Sequence, residues 1–183
     1  YSGTSGSLWS ASTGPNSIIS NNGSGHLASG AHSFVGGGYA NSATTTYSSV
    51  ICGQQNTVSG TMSFIAGGNN NTVDGSDSTI LGGHYNYNNG DSSSIIGGKN
   101  STGDTAGVFM LGGDSNYSSG PRSIIMGGVY NEMDGYAVDS FIIANSGSTI
   151  SSPYSSILGG INNQIVGKGM ASIISAKNSS ISS

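Results

Sequence analysis

The sequence is short of charge, and its few basic residues are dispersed. Asp, Glu, Lys and Arg make up 7% of the 183 residues, and the net charge is −4, whereas roughly a quarter of an ordinary soluble domain is charged. The four basic residues are scattered rather than grouped in a stripe. Because a nucleic-acid-binding surface needs clustered Lys and Arg to neutralise phosphates, we expect no nucleic-acid partner.

Two further absences narrow the class of protein. No apolar run approaches the ~20 residues that a membrane-spanning helix requires, so we expect no membrane insertion. Cys52 is the single cysteine, which excludes an intrachain disulfide and leaves the redox compartment open. The sequence begins at Tyr1 without Met or a signal segment, and we interpret it as a processed piece of a longer polypeptide. Low charge with abundant Ser, Thr, Asn and Gly favours an extracellular or virion surface.

Motifs for catalysis and for a resident metal or cofactor are missing as well. The three histidines do not share a position in the repeat described below. Neither a Gly-x-Ser-x-Gly elbow nor a metal-spaced set of His and Cys occurs. We therefore predict that the chain is not an enzyme and that it needs no cofactor.

What the sequence has in abundance is a repeat of 15 residues. Its core reads Ser, three apolar residues, Gly-Gly, two variable residues and Asn, as in residues 63–71. The first glycine position of successive copies, 15 residues apart, holds Gly37, Cys52, Gly67, Gly82, Gly97, Gly112 and Gly127. Beyond this run it recurs at Asn21, Ala144, Gly159 and Ser175 with spacings of 15 to 17 residues. A fixed period of this length predicts stacked structural units rather than a globular fold.

One position of the repeat is apolar in every copy and mostly β-branched, which favours strands. It lies two residues before the first glycine, and we predict that it forms the inner core column: Ile19, Val35, Val50, Ile65, Ile80, Ile95, Met110, Ile125, Ile142, Ile157 and Ile173. A second half-turn, of the form Asn-x-apolar-x-Gly, predicts a second short strand. The sequence thus predicts an all-β fold, a flattened β-solenoid or β-roll of ~10–11 turns.

The position one before the first glycine is mostly apolar too, and Phe or Ile recurs at the position three before it. Because neighbouring side chains of a strand point to opposite faces, these residues should form an outward-facing apolar stripe, ~45–50 Å long at ~4.8 Å per turn. A monomer does not normally expose so much contiguous apolar surface. We therefore predict a subunit interface in a parallel homotrimer. The members of this apolar stripe are Phe34, Ile51, Phe64, Leu81, Ile96, Phe109, Leu111, Ile124, Met126, Phe141, Ile143, Leu158 and Ile174.

An Asn column follows the Gly-Gly pairs: Asn41, Asn56, Asn71, Asn86, Asn116, Asn131 and Asn163. Asn tolerates the left-handed backbone conformation and hydrogen-bonds turn backbone, and Asn residues stacked in register can form a ladder. We therefore expect these Asn residues to adopt the left-handed conformation, to bond the turn backbone and to form a ladder. The boundaries of the repeat divide the chain into an N-terminal cap or lead-in (1–16), the solenoid (17–178) and a C-terminal tail (179–183).

Aromatic residues gather after the Gly-Gly pairs and provide the candidate ligand-binding residues: Tyr39, His84, Tyr85, Tyr87, Tyr117 and Tyr130. Exposed Tyr on a rigid edge can stack on sugars or fill a receptor pocket, so a cell-surface glycan or receptor is one expected partner. The alternative is that these rings only cover turn backbone. Asp74, Asp104 and Asp134 share one position on alternate turns; a solvated edge is the favoured interpretation, and a calcium site the alternative.

The repeats at 63–71, 93–98 and 123–128 resemble the head repeats of trimeric autotransporter adhesins and the glycine-rich repeats of viral and phage fibres. Those families form β-rolls packed as homotrimers, with an apolar face of each chain at the three-fold axis. The resemblance implies the same arrangement for residues 17–178. The 15-residue period and the large aliphatic residues in two adjacent positions depart from adhesin heads, which tend toward Ala and a slightly shorter repeat.

These features predict a structural and adhesive fibre segment on a virion or cell surface, displaying turn residues for host or receptor attachment. An alternative is the subunit of an extracellular filament that grows by end-to-end stacking of open strand edges. A third interpretation is an ice-binding β-solenoid, since Asn-x-Val-x-Gly at 56–60 and 71–75 is similar to repeats of plant ice-binding solenoids. Against it, Thr is irregular in the sequence and the regular outer face is apolar.

Overall fold

The computed structural model describes residues 8–21 and 25–182. The strands of this part of the chain are short, two to six residues each. In chain order they are β1 (Trp9–Ala11), β2 (Ile18–Ser20), β3 (Leu27–Ala28), β4 (Phe34–Val35), β5 (Ser42–Ala43), β6 (Ser49–Val50), β7 (Thr57–Val58), β8 (Phe64–Ile65), β9 (Thr72–Val73), β10 (Thr79–Ile80), β11 (Tyr87–Asn88), β12 (Ser94–Ile96), β13 (Thr102–Gly103), β14 (Phe109–Leu111), β15 (Tyr117–Ser118), β16 (Ile124–Met126), β17 (Glu132–Met133), β18 (Phe141–Ser146), β19 (Thr149–Ser151), β20 (Ser156–Ile161), β21 (Gln164–Val166), β22 (Ser172–Lys177) and β23 (Ser180–Ser182). Within the described ranges, no helix is long and apolar enough to cross a membrane. The all-β prediction is confirmed.

The strands alternate between two sheets. Sheet A contains β1, β2 and the even-numbered strands up to β22, and sheet B contains the odd-numbered strands from β3 to β23. Apart from β1, which runs antiparallel to β2, each strand pairs in parallel with the equivalent strand one repeat away. Ile80, for example, lies between Ile65 and Ile95. The chain therefore winds as a β-solenoid of about eleven turns with a repeat of about 15 residues.

The core is a single layer of side chains between the two sheets. The predicted inner column on sheet A is confirmed, since its members from Val35 to Ile157 are at most 1% exposed. Sheet B supplies the opposing column: Ala28, Ala43, Val58, Val73, Asn88, Gly103, Ser118, Met133, Ile150, Ile165 and Ile181. Each turn thus buries about one apolar side chain from each sheet. These side chains pack on those of the neighbouring turns, and removing their apolar surface from water stabilises the fold.

Three successive turns depart from this pattern. Asn88, Gly103 and Ser118 stand where other turns bury Val, Met or Ile on sheet B. Val108 replaces the usual Ser of the repeat beside them and is 1% exposed. A Cβ at Gly103 would lie 3.2 Å from Val108 Cγ1, so Val108 fills the volume that the glycine leaves empty. The middle of the solenoid therefore packs by exchanging large and small residues between neighbouring positions.

The Asn column forms the predicted ladder at one corner of the solenoid. Asn56 and Asn71 are fully buried. The Asn56 Oδ1 accepts hydrogen bonds from the Asn71 backbone N–H at 3.0 Å and from Nδ2 at 3.2 Å. Asn71 Nδ2 also donates to the Gly83 carbonyl at 3.0 Å. Such bonds satisfy backbone groups that would otherwise be buried without partners.

The expected left-handed conformation of these Asn residues is wrong. At this corner the left-handed residue that is not Gly is the one before the Asn, as at Gln55 (φ 54), Asn70 (φ 53) and Tyr85 (φ 55). The physical reason is the direction of the side chain. With the left-handed residue one position earlier, the Asn side chain points into the corner, where its amide reaches the backbone of the adjacent turns.

A second ladder, of serines, lies at the opposite corner and was not predicted. Ser63 and Ser78 are at most 1% exposed. The Ser63 Oγ donates to the Gly75 carbonyl at 2.7 Å and accepts from the Ser78 backbone N–H at 3.0 Å. The Ser that opens each repeat is therefore structural: a hydroxyl both donates and accepts, so one small side chain links two turns.

The ends of the solenoid differ from the predicted boundaries. Residues 180–182, expected to be a tail, form β23 and pair with β21. Within the expected lead-in 1–16, β1 pairs with β2, while residues 1–7 lie outside the described ranges, as does Ser183. The longer spacings of the repeat correspond to longer turns, at 134–140 between β17 and β18 and at 167–171 between β21 and β22.

Candidate functional site

The apolar stripe lies on the outer face of sheet A, as the strand alternation predicts. Ile51, Leu81 and Leu111 are 44%, 47% and 39% exposed, and the phenylalanines between them are half-buried. In-register pairing aligns them along the axis: Phe109 lies beside Ile124, and Leu111 beside Met126. The result is an apolar column on sheet A that runs from Ile51 to Ile174. In the outward column beside it, Phe and Ile alternate with the polar residues Ser49, Thr79, Ser94, Ser156 and Ser172.

The outer face of sheet B is polar by contrast. Apart from Leu27 in β3, the first outward position of its strands is polar or carries Tyr: Ser42, Thr57, Thr72, Tyr87, Thr102, Tyr117, Glu132, Thr149, Gln164 and Ser180. The second holds mainly Ser, Thr, Asp and Asn. The two faces of one thin solenoid therefore differ sharply in polarity, and only the face of sheet A resembles a surface that needs a covering.

The N-terminal end of the apolar stripe is partly covered by the chain itself. Trp9 in β1 packs on Phe34, with ring centroids 5.6 Å apart. Since β1 runs antiparallel to β2, it also occupies the edge of sheet A at this end. The strand β1 therefore ends sheet A at the N-terminal side of the stack.

The six candidate ligand-binding residues do not form one cluster. Tyr39 and His84 share the column of isolated bridges between the two sheets, three turns apart. Tyr85 and Tyr130 occupy the left-handed corner position, where they are 54% and 69% exposed. Tyr87 and Tyr117 were expected in the turn, yet they lie in β11 and β15. The Gly-Gly turn is shorter than the sequence suggested, because the left-handed residue returns the chain to extended backbone at once.

The two strand tyrosines contact the Asp column. The Tyr87 hydroxyl donates to Asp74 Oδ2 at 2.8 Å, and the Tyr117 hydroxyl donates to Asp104 Oδ2 at 3.4 Å. The Asp74 hydrogen bond, partial burial and the charges of Asp74 and Asp104 raise the pKa of Tyr87. The hydroxyl therefore stays a neutral donor through the physiological range.

The Asp column does not converge on a metal site. Asp74, Asp104 and Asp134 stand two turns apart, ~9.6 Å at the usual strand spacing, and the described residues contain no group of three His, Cys, Asp or Glu that could hold a metal. Their oxygens accept instead from neighbouring groups: Asn89 Nδ2 donates to Asp104 at 2.9 Å, and the Tyr136 N–H donates to Asp134 at 2.9 Å. The calcium alternative is therefore not supported by the geometry.

The two longer turns enclose a groove on the outer side of sheet B. Its volume is about 520 Å³, and its lining residues are Asp134, Tyr136, Ser151, Val166, Gly167 and Lys168. Tyr136 is 73% exposed. Sequence reasoning identified the irregular spacing but not the groove, because the groove needs two extended turns to project on either side of Ser151.

Comparison of the sequence with protein-family models and with curated proteins finds no match. The function of the chain has to be inferred from its two outer faces, its corners and this groove.

Proposed function

We propose that the chain is a structural and adhesive fibre segment, in which three copies pack their apolar stripes around a common axis. The observation that supports this most strongly is the polarity difference between the outer faces of sheets A and B. Exposed Ile and Leu residues recur along sheet A, whereas Ser, Thr, Tyr and acidic residues cover sheet B. An apolar face of this length is costly to leave in water.

A second copy of the same chain is the occupant that fits the stripe best. The stripe is periodic along the axis, with one tier per turn. A parallel copy in the same register presents an identical periodic surface, so every tier meets an equivalent tier. In a cyclic arrangement of three copies, the apolar stripe of each chain is buried against the stripes of the other two.

The resulting particle would be a stiff rod with sheet B and the two corners facing outward. A low-charge surface of Ser, Thr, Asn and Gly suits the extracellular or virion surface, where such a rod displays repeated contact groups and attaches by avidity. The partner on the host side would be a glycan or receptor that contacts the outward faces.

Light scattering at several protein concentrations tests the assembly. A fibre segment gives a mass three times the 18.2 kDa of the chain, independent of concentration. Replacing Ile51 and Leu81 with Glu should give monomers, since carboxylates cannot be buried unpaired in an apolar interface. The matched control replaces Thr57 and Thr102, on the outer face of sheet B, with Glu and should stay trimeric.

Two alternatives predict different masses. Filament growth by end-to-end stacking gives a mass that rises with concentration without limit. The antiparallel pairing of β1 at one end of sheet A disfavours it, because a parallel stack cannot continue across that strand. An ice-binding solenoid gives a monomer with thermal hysteresis. Thr57, Thr72, Thr102 and Thr149 do share one column of sheet B, but Tyr87, Tyr117 and Glu132 interrupt it.

A further inference from the structure

The outer face of sheet B carries an aromatic and acidic pattern with twice the period of the fold. Tyr87 bonds to Asp74, and Tyr117 lies against Asp104 in the same way. The second pair is the first displaced by 30 residues, or two turns, which is ~9.6 Å along the axis. Thr102 occupies the position between the two tyrosines in the same column, and Thr72 the position before Tyr87. We call these two pairs the Tyr–Asp row.

The hydrogen bonds hold the rings against the sheet instead of letting them extend into solvent. The Cα of Tyr87 lies beside that of Thr72, and the ring reaches diagonally to Asp74, two residues further along the neighbouring strand, a separation that aromatic side chains span. The strand backbone thus fixes one end of the Tyr87 side chain, and the hydrogen bond to Asp74 fixes the other. A Tyr fixed in this way loses little entropy when another planar or ring-shaped group stacks on it.

Hydrogen-bonding groups surround each ring. Asn89 Nδ2 donates to Asp104 at 2.9 Å, and the Ser59 hydroxyl contacts Asp74. Carboxylates retain lone pairs beyond those that these donors use. A ligand rich in hydroxyl groups can donate to the Asp oxygens and lay its C–H face on the neighbouring Tyr.

The groove continues this chemistry toward the C-terminal end of the same face. Asp134 extends the Asp column, and the exposed ring of Tyr136 lies on the groove wall together with Ser151 and Lys168. Asp134 accepts the Tyr136 N–H at 2.9 Å, so the carboxylate and the ring are held next to each other. The groove therefore combines an aromatic ring, a carboxylate, a hydroxyl and an ammonium group in one concave surface.

We propose that the outer face of sheet B binds an extended neutral glycan, with sugar rings stacked on Tyr87 and Tyr117 and a further sugar held in the groove beside Tyr136. The orientation of this face away from the trimer axis rests on the proposed function. The residues that bind the glycan do not.

Charge selects a neutral glycan rather than an acidic one. Asp74, Asp104, Asp134 and Glu132 all project from this face. Lys168 is the one cationic residue among those that line the groove. Uronic acids, sulfated sugars and nucleic acids would be repelled by this column of carboxylates. Spacing selects a chain rather than a single sugar, because the two Tyr–Asp pairs are two turns apart.

A printed array of neutral and acidic oligosaccharides of graded length tests the proposal on the purified chain. The expected result is binding to neutral glycans, stronger for longer oligosaccharides than for disaccharides, with no binding to acidic ones. Absence of binding to any neutral glycan, preference for acidic glycans, or affinity independent of length would each overturn it.

Paired variants separate the Tyr–Asp row from exposed tyrosine in general. Replacing Tyr87 and Tyr117 with Ser should weaken glycan binding roughly tenfold or more, and Tyr136→Ser should weaken it to a lesser degree. The matched control replaces Tyr47 and Tyr154, which are exposed away from the Tyr–Asp row, with Ser and should bind as the parent does. An equal loss of glycan affinity in both double variants would contradict the assignment of binding to the Tyr–Asp row.

Thermal unfolding and light scattering on the same samples keep this result distinct from the proposed assembly. A trimer that binds no neutral glycan retains the fibre and removes the glycan site. A monomer that binds neutral glycans, with loss in the Tyr87/Tyr117 variant, retains the site and removes the fibre.

Discussion

At the residue scale, buried side-chain hydrogen bonds decide how well one turn joins the next. The Asn ladder begins with a histidine: the His26 Nδ1 accepts from the Asn41 backbone N–H at 3.3 Å, in the position that Asn fills in later turns. Burial lowers the pKa of His26. An accepting Nδ1 has to be unprotonated, so acid breaks this junction.

His26→Asn should therefore remove a pH dependence from the first turns. A lowered folded pKa means that stability is complete above the unfolded value near 6.5 and is lost as pH falls below it. Hydrogen exchange of the Asn41 amide, corrected for intrinsic rates, should accelerate in the parent between about pH 7 and pH 5 and not in the variant. Equal acceleration in both proteins would contradict the assignment.

One buried polar side chain of the core, Asn88, is only partly hydrogen-bonded. It is fully buried, and its Oδ1 has no hydrogen-bond partner, although Nδ2 donates to the Ser93 carbonyl at 3.1 Å. Asn88→Val restores the residue type of Val73, its neighbour in the same column. We expect a gain of ~1 kcal/mol in the free energy of unfolding, measured by denaturant titration. Asn88→Asp is the control and should destabilise, because it buries a charge.

At the scale of the element, the two glycines of a Gly-Gly pair differ in the space around them. The first has room for a side chain, and the second does not. Gly68 has φ +97, and an added Cβ would lie 2.4 Å from the Gly83 carbonyl oxygen. Gly37 occupies the preceding position of another turn, and a Cβ there meets nothing within 4 Å. Cys52 at the same position as Gly37 shows that a side chain is accommodated there.

Gly68→Ala should lower the free energy of unfolding by roughly 2–4 kcal/mol, through backbone strain and a clash with the next turn. Gly37→Ala should change it by less than ~0.5 kcal/mol. Denaturant unfolding of the two variants, compared with the parent, provides the measurement. Comparable losses at both positions would show that the Gly-Gly pair acts through something other than this geometry.

Removing one whole turn of 15 residues should leave the remaining turns correctly aligned. Deleting residues 56–70 joins Gln55 to Asn71 and keeps every column aligned, because Asn71 occupies the position of Asn56. The shortened chain should fold with strand content reduced in proportion and a slightly lower melting temperature, as expected for a stack of nearest-neighbour units.

Deleting only residues 56–62 is the control for this prediction. It joins Gln55 to Ser63 and moves sheet-A strands into sheet-B positions, where Ile65 would still face inward. The sheet-B strands that enter sheet-A positions slip by one residue, so that Thr72 would face inward in place of Val73. Circular dichroism should show loss of the folded state. A well-folded product would contradict the register described for the two sheets.

At the scale of the whole molecule, stability and assembly should be nearly independent of salt. The two ion pairs within residues 8–21 and 25–182 are exposed: Lys99–Asp114 at 3.9 Å and Arg122–Asp139 at 2.7 Å. Exposed pairs contribute little and are screened by salt. Arg122 lowers the pKa of Asp139 by a hydrogen bond. The support that Asp139 gives the fold is therefore complete above the ordinary pKa of 3.8 and is lost as pH falls from there through the lowered folded pKa.

The melting temperature and the mass in solution should therefore change little between about 0.05 and 1 M NaCl. Sulfate should raise the melting temperature, since it strengthens apolar burial. Dissociation at high NaCl would indicate that charge, and not the apolar stripe, holds the copies together. The double variant Ile51→Glu, Leu81→Glu serves as the dissociated reference in the same measurement.

The sequence by itself determined which residues face inward. Its 15-residue period places equivalent residues in register, and the two-residue alternation of strands assigns Ile65, Phe64 and Leu81 to their faces without further information. Apolar burial repeats in every turn, so the signal accumulates over the whole chain. The architecture, the core of sheet A and the apolar stripe were therefore predictable.

Only the tertiary structure decided what the corners and the polar face do. The left-handed position lies at Gln55 and Tyr85 rather than at the Asn beside each, because the Asn amide is needed inside the corner to bond the adjacent turns. The pairing of Tyr87 with Asp74, and the groove between two long turns, join residues from different turns. Polar contacts depend on distance and direction between turns, and a linear pattern of residue types does not specify either.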